Sequence, residues 1–146
     1  MTIKGFHHAA ISTPDLERCI DFYTRVIGGE VAWTFGWPES TPEADEVTGV
    51  NNSAANAAML KVGNSFLEVF EFTAPAQPDR ENRSSVHQHG ITHVCLEVTD
   101  IFGEYERLKG LGMTFKCEPK NQDGSAMVYG HDPDGNVVEL IEFFPE

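Results

Sequence analysis

Leu67-Glu68-Val69-Phe70-Glu71-Phe72 and Val138-Glu139-Leu140-Ile141-Glu142-Phe143 carry one pattern twice: apolar, acidic, two apolar, acidic, aromatic. Each copy follows its own His-bearing segment, His8-Ala9-Ala10-Ile11-Ser12-Thr13-Pro14-Asp15-Leu16 in one case and His93-Val94-Cys95-Leu96-Glu97-Val98-Thr99-Asp100-Ile101 in the other. The two segments run in register from the His to an Asp seven residues later. The chain therefore reads as one unit written twice, with His8, Glu68, His93 and Glu139 at matched positions. Two imidazoles and two carboxylates form a donor set that suits first-row divalent metals better than calcium, which prefers oxygens alone.

Outward from these stretches, each half reads as strand, helix, strand, strand, strand. Residues 6 to 12 form a strand that stops at Thr13-Pro14-Asp15, where Thr13 can cap the first free N–H groups and Pro14 suits the first helical position. Leu16, Cys19, Ile20, Tyr23, Val26 and Ile27 recur at helical spacing, and Gly28-Gly29 ends the run. Glu30 to Phe35 reads as a strand. Residues 36 to 56 are polar and broken by Pro38, Pro42 and Gly49, so they read as a long lid or mobile loop. Residues 57 to 62 and 66 to 72 form a hairpin around Gly63-Asn64.

In the second half the spacing predicts a strand over 91 to 98 and a helix over about 100 to 111, with Ile101, Tyr105, Leu108 and Leu111 on one side. Strands follow over 114 to 117, 126 to 129 and 137 to 143. Asp132-Pro133-Asp134-Gly135-Asn136 is turn chemistry that pins the last hairpin. The organisation is one domain over residues 1–146: module 1 about 5–73, a linker at 74–90, and module 2 about 91–146.

Side chains alternate across a strand, so His8 travels with Ala10 and Ser12, and His93 with Cys95 and Glu97. Glu68 shares its face with Phe66, Phe70 and Phe72, and Glu139 shares its face with Val137, Ile141 and Phe143. The opposite faces are apolar too, which implies that one face packs on the helices and the other lines a cavity. A carboxylate set among phenylalanines costs several kcal/mol of desolvation unless compensated, and a cation shared by the four residues is the common solution. His7 rivals His8, but only His8 keeps step with His93. Glu71 and Glu142 read as solvated carboxylates on the opposite face. His87, His89 and His131 read as loop histidines, with His131 and Tyr129 close enough to the last strand to reach a substrate.

Composition narrows the function. A net charge of −13 with ten basic residues argues against a nucleic-acid surface. Three cysteines do not make a disulfide framework, and no apolar run is long enough to span a bilayer. These features point to a soluble cytoplasmic protein with no nucleic-acid or membrane partner.

The residues resemble the vicinal oxygen chelate superfamily, which includes glyoxalase I, methylmalonyl-CoA epimerase, extradiol dioxygenases and the fosfomycin and bleomycin resistance proteins. The likeness is carried by His8 with Ser12-Thr13-Pro14-Asp15-Leu16-Glu17-Arg18 and Phe22-Tyr23, by Gly90-Ile91-Thr92-His93-Val94, and by Asp132-Pro133-Asp134-Gly135-Asn136-Val137-Val138-Glu139-Leu140. It implies an α+β fold in which two βαβββ modules form a curved, cup-shaped mixed sheet with helices outside. It also implies a homodimer and a divalent metal (Zn, Ni, Co, Mn or Fe) on His8, Glu68, His93 and Glu139. That set is similar to glyoxalase I. The positions that grip glutathione there are occupied here by Ser12 and Phe72, and Phe66, Phe70, Phe72, Trp33 and Trp37 suit an aromatic pocket, with Tyr129 near the substrate.

By this resemblance, the chain is expected to be a lyase or isomerase. Glu139 would abstract a proton next to a carbonyl, Glu68 would serve as second acid or base, and the metal would steady the enolate oxygen. A ring-cleaving dioxygenase is the alternative, with Glu68 as the discriminator because it needs only two His and one carboxylate. A metal-free drug-binding resistance protein is the third reading.

Overall fold

A computed structural model describes residues 2–77 and 85–145. The chain divides into two compact units, Met1–Asp79 and Arg80–Glu146, each with a mixed sheet and at least one helix. The α+β class and the duplicated plan both hold.

In the first unit, β1 (His8–Ser12) leads into α1 (Leu16–Asp21), and β2 (Glu30–Trp37), α2 (Pro42–Thr48), β3 (Ala54–Val62) and β4 (Ser65–Ala74) follow. The sheet order is β1-β4-β3-β2, with β1 parallel to β4 and the other pairs antiparallel. Asp15, not Thr13, caps α1: its carboxylate accepts the Arg18 N–H, while Thr13 closes the preceding turn through its hydroxyl. The single helix expected from the apolar spacing is in fact α1 followed by a π-helical turn over Phe22–Val26, sealed by Ile27 N–H donating to the Phe22 carbonyl. The wider turn lets adjacent Phe22 and Tyr23 both be buried. With Cys19 and Val26 they form the core with Leu67 and Val69 of β4 and Ala58 and Leu60 of β3.

One expectation for the first unit fails. The segment read as a long loop is largely ordered, because β2 runs on to Trp37, β3 starts at Ala54, and α2 lies between them. No residue of α2 is buried, so it shows no apolar stripe; it stands on Pro42 in its first turn and on Gly49, whose φ of 70° ends it. At the expected linker, β4 extends through Ala74, and residues 78–84 lie outside the described ones.

In the second unit, β5 (His93–Glu97), α3 (Ile101–Gly110), β6 (Thr114–Phe115), β7 (Lys120–Gln122), β8 (Ser125–His131) and β9 (Val137–Phe143) give the order β5-β9-β8-β6, with β7 also on β8. Ile101, Tyr105 and Leu108 are buried as their spacing predicts, and they cover the face of Val128, Val138 and Leu140. Leu111 lies past the helix end and is exposed. β7 is an addition to the expected plan. It is a polar, exposed strand joined to β8 by Asp123-Gly124, whose φ values of 36° and 82° are those of a two-residue hairpin turn. His131 is not a loop residue; it ends β8, buried, opposite Val137. Among the described residues, no helix is long and apolar enough to cross a membrane.

Candidate functional site

The parallel pairing of β1 with β4 sets His8 level with Phe66 and Ala10 level with Glu68. His8 therefore reaches Glu68 diagonally, with Nε2 3.3 Å from Oε2. The second unit repeats the register, with His93 level with Val137 and Cys95 with Glu139, and His93 Nε2 lies 3.1 Å from Glu139 Oε2. Each unit thus presents one imidazole nitrogen and one carboxylate oxygen side by side. Within either unit, among the described residues, no third His, Cys, Asp or Glu joins its pair as a metal-holding group.

The surroundings of the two pairs differ. Across the strands, Glu68 faces Ala10 and Met59, while Glu139 faces Cys95 and Tyr129. The Tyr129 ring meets His93 edge-on at 5.4 Å. Desolvation, then the charge of Glu139 and its hydrogen bond, raise the Tyr129 pKa, so the phenol stays a donor. The Cys95 thiol is pushed up to about 12, first by desolvation and then by hydrogen bonding and repulsion from Glu139 and by Glu97, although the residue keeps exposed surface. It therefore remains a neutral thiol.

On the first sheet, the face bearing His8 and Glu68 also carries an aromatic row. Trp33, opposite Met59, is 5.9 Å from Phe66; Phe35 is 5.8 Å from Phe70, and Trp37 is 5.9 Å from Phe72. Trp33 is 47% exposed, which leaves ring surface open to a ligand. The structure thus puts Trp33, Phe66, Phe70 and Phe72 on the Glu68 face and Tyr129 beside Glu139. Phe35 was missed by the sequence reading, though the alternation Trp33, Phe35, Trp37 marks it.

Glu71 and Glu142 are not merely solvated. Three residues after Glu68 or Glu139 the side chain points to the opposite face, where the helix lies. Glu142 there accepts the N–H groups of Asp100 and Ile101 at 2.9 and 2.8 Å, and Glu71 accepts that of Leu16 at 3.5 Å. In each repeat, then, the first Glu meets the His and the second meets the start of the helix.

Residues 5–140 match the family model of the Glyoxalase/Bleomycin resistance protein/Dioxygenase superfamily. A 2-epi-5-epi-valiolone epimerase from Actinomyces sp. is 32% identical over 92% of this chain and 77% of its own length. A lactoylglutathione lyase from Pseudomonas putida is 26% identical over 96% of this chain and 86% of its own. A glyoxalase family protein from Bacillus cereus superposes with a TM-score of 0.86 at 21% identity, covering 99% of this chain and 97% of that one, which shows the fold.

Proposed function

The chain belongs to the Glyoxalase/Bleomycin resistance protein/Dioxygenase superfamily, and from that premise we propose that it is a metal-dependent lyase or isomerase that transfers a proton next to a carbonyl of a small oxygenated molecule. The observation that carries the reading is the repeated His–Glu pair, with matched register and separations of 3.3 and 3.1 Å. Four oxygen and nitrogen donors, two of them anionic, match the charge and donor preference of a divalent first-row ion, so His8, Glu68, His93 and Glu139 are the residues that would hold it. When bound, the ion supplies positive charge where negative charge develops on the substrate oxygen.

The protein residues divide the remaining work. Glu139 takes the proton from carbon and releases it to solvent, and Glu68, as the second acid or base, delivers to carbon a proton drawn from solvent. The Tyr129 hydroxyl, beside Glu139, orients its carboxylate or the substrate oxygen. The row of Trp33, Phe66, Phe70 and Phe72 offers apolar ring surface, with Ser12 and Phe72 where glutathione-gripping residues would stand. Epimerase and lyase relatives are consistent with proton transfer. Glu68 pairs with His8 just as Glu139 pairs with His93, which favours four protein donors over the three a ring-cleaving dioxygenase needs.

The test has two parts. Protein purified without added metal is analysed for metal content and then titrated with zinc, nickel, cobalt, manganese and iron(II). A panel of hydroxycarbonyl compounds is then followed for deuterium uptake at carbon in heavy water. Uptake of one ion per four-donor set, with exchange reduced about 10²–10⁴-fold in Glu139→Gln, is the expected result. Failure to bind any of the five ions removes the reading.

A further inference from the structure

We infer that His7 and Thr92, the residues directly before the two repeat histidines, are positioning residues that fix which ring nitrogen His8 and His93 present beside Glu68 and Glu139; the inference rests on the metal reading above. His7 Nδ1 lies 2.8 Å from His8 Nδ1, and Thr92 Oγ1 lies 2.8 Å from His93 Nδ1. In both rings, then, Nδ1 is held by the preceding side chain while Nε2 points at the carboxylate. Within a strand, consecutive side chains point to opposite faces and could not meet in this way. The contact is possible because His8 and His93 are the first residues of β1 and β5, which leaves His7 and Thr92 just outside the pleat.

A neutral imidazole has one N–H and one lone pair, so a partner on Nδ1 that can serve either role holds the ring with Nε2 toward the carboxylate in both tautomers. To give a lone pair to a cation, Nε2 must leave the proton on Nδ1, and that N–H then needs an acceptor. The Thr92 hydroxyl oxygen and the unprotonated His7 Nδ1 are such acceptors. With Nε2–H donating to the carboxylate instead, Nδ1 becomes the acceptor and the Thr92 hydroxyl turns to donate, so the same contact serves both states. His7 is fixed for its part: its ring stacks on Phe66 at 5.1 Å with 14° between planes, and its carbonyl accepts the Phe66 N–H and the Ser65 hydroxyl at 3.3 and 3.1 Å. The same atom of the same repeat residue is thus held in each unit, by two different residue types. That recurrence marks a requirement on the ring and not a coincidence of packing.

Two readouts test this. Long-range proton–nitrogen correlation spectra of the metal-free protein report the ring nitrogens of His8 and His93 directly, and cobalt(II) titration by visible absorption reports affinity. Thr92→Val should shift the ring nitrogens of His93 and leave those of His8 in place, with Thr92→Ser restoring them. His7→Phe, which keeps the stack but loses the nitrogen, should do the same to His8 alone, with His7→Asn as its rescue. Cobalt affinity should fall about 10–100-fold in Thr92→Val and His7→Phe and recover to within about threefold in the rescuing variants. Unaltered ring nitrogens and unaltered cobalt affinity in both Thr92→Val and His7→Phe would overturn the inference. No cobalt uptake by the unsubstituted protein is a separate result: it overturns the metal reading and the affinity side of this inference with it, while the nitrogen spectra still decide whether His7 and Thr92 hold the rings.

Discussion

Replacing Glu142 by Ala should destabilise the protein far more than the same change at its repeat partner, Glu71. Glu142 accepts two backbone N–H groups at the start of α3, at 2.9 and 2.8 Å, and those donors have no partner within the helix. Hydrogen bonds to a charged group contribute about 1.5–3 kcal/mol each, and a carboxylate at a helix N-terminus adds about 0.3–1 kcal/mol. Glu142 is only half-buried, so solvent screens part of this and the expected loss is about 2–4 kcal/mol. Glu71 makes one contact at 3.5 Å, the limit of a hydrogen bond, and its loss should cost under about 1 kcal/mol. Glu142→Gln keeps one acceptor oxygen and should fall between the two. Urea titration followed by far-ultraviolet circular dichroism gives the midpoints, and amide exchange along α3 shows whether the loss is local. Equal costs at positions 71 and 142, or a Glu142→Ala cost below about 0.5 kcal/mol, would refute the reasoning.

Three further outcomes are expected. Asp45 accepts from the Ser53 N–H and hydroxyl at 2.8 Å each and from the Asn52 N–H at 2.6 Å; these bonds, led by those from Ser53, hold its pKa below the ordinary 3.8. Since the folded value is the lower one, the stabilisation is complete above 3.8 and is lost as pH falls through the folded value, so the Asn52 and Ser53 amide shifts should titrate below 3.8 and the transition should vanish in Asp45→Asn. Tyr129→Phe should lower turnover about tenfold while leaving cobalt affinity unchanged, because it removes a hydroxyl partner of Glu139 and no proposed ligand; a fall in affinity equal to the fall in rate would assign Tyr129 to the ion instead. Dialysis against a chelator should abolish deuterium exchange and readdition of a divalent ion should restore it, whereas exchange that survives metal removal would rule out the metal's part.

What could be read in the chain, and what could not, follows from where apolar side chains lie. β4 and β9 were legible because each buries an apolar face against a helix, and burial writes alternation into sequence. α2 and β7 bury nothing, so their evidence was confined to turn chemistry: Pro42 and Gly49 for one, Asp123-Gly124 for the other. Matching His8 to His93 selected the member of the His7-His8 pair that stands beside Glu68, because the repeat preserves register even where neighbouring residues change. Reading Glu71 and Glu142 as solvated erred for an instructive reason. Position parity showed that they face away from Glu68 and Glu139, but not that the open N-terminus of a helix lies on that side. The Nδ1 partners were out of reach, since alternation forbids neighbours to touch and only the strand's first residue escapes the rule.

The duplication also bears on how labour would divide between the two acids in the proposed mechanism. A repeat that served structure alone would have no reason to keep His and Glu in both copies while changing what flanks them. Here the pairs are retained within 0.2 Å of each other, at 3.3 and 3.1 Å, yet the cross-strand neighbours are Ala10 and Met59 in one unit and Cys95 and Tyr129 in the other. Apolar neighbours leave Glu68 to interact with His8 and with whatever approaches from the aromatic row. Glu139, bonded to donors that keep their protons, is held in one orientation as an acceptor. Under the proposed mechanism, a carboxylate that takes a proton from carbon benefits from being fixed in place, and the flank that fixes it is found only beside Glu139. Exchanging the two surroundings, by Met59→Tyr with Tyr129→Met, should therefore impair turnover more than it impairs cobalt binding. Equal losses in the two would show that the flanks serve only to hold the ligands.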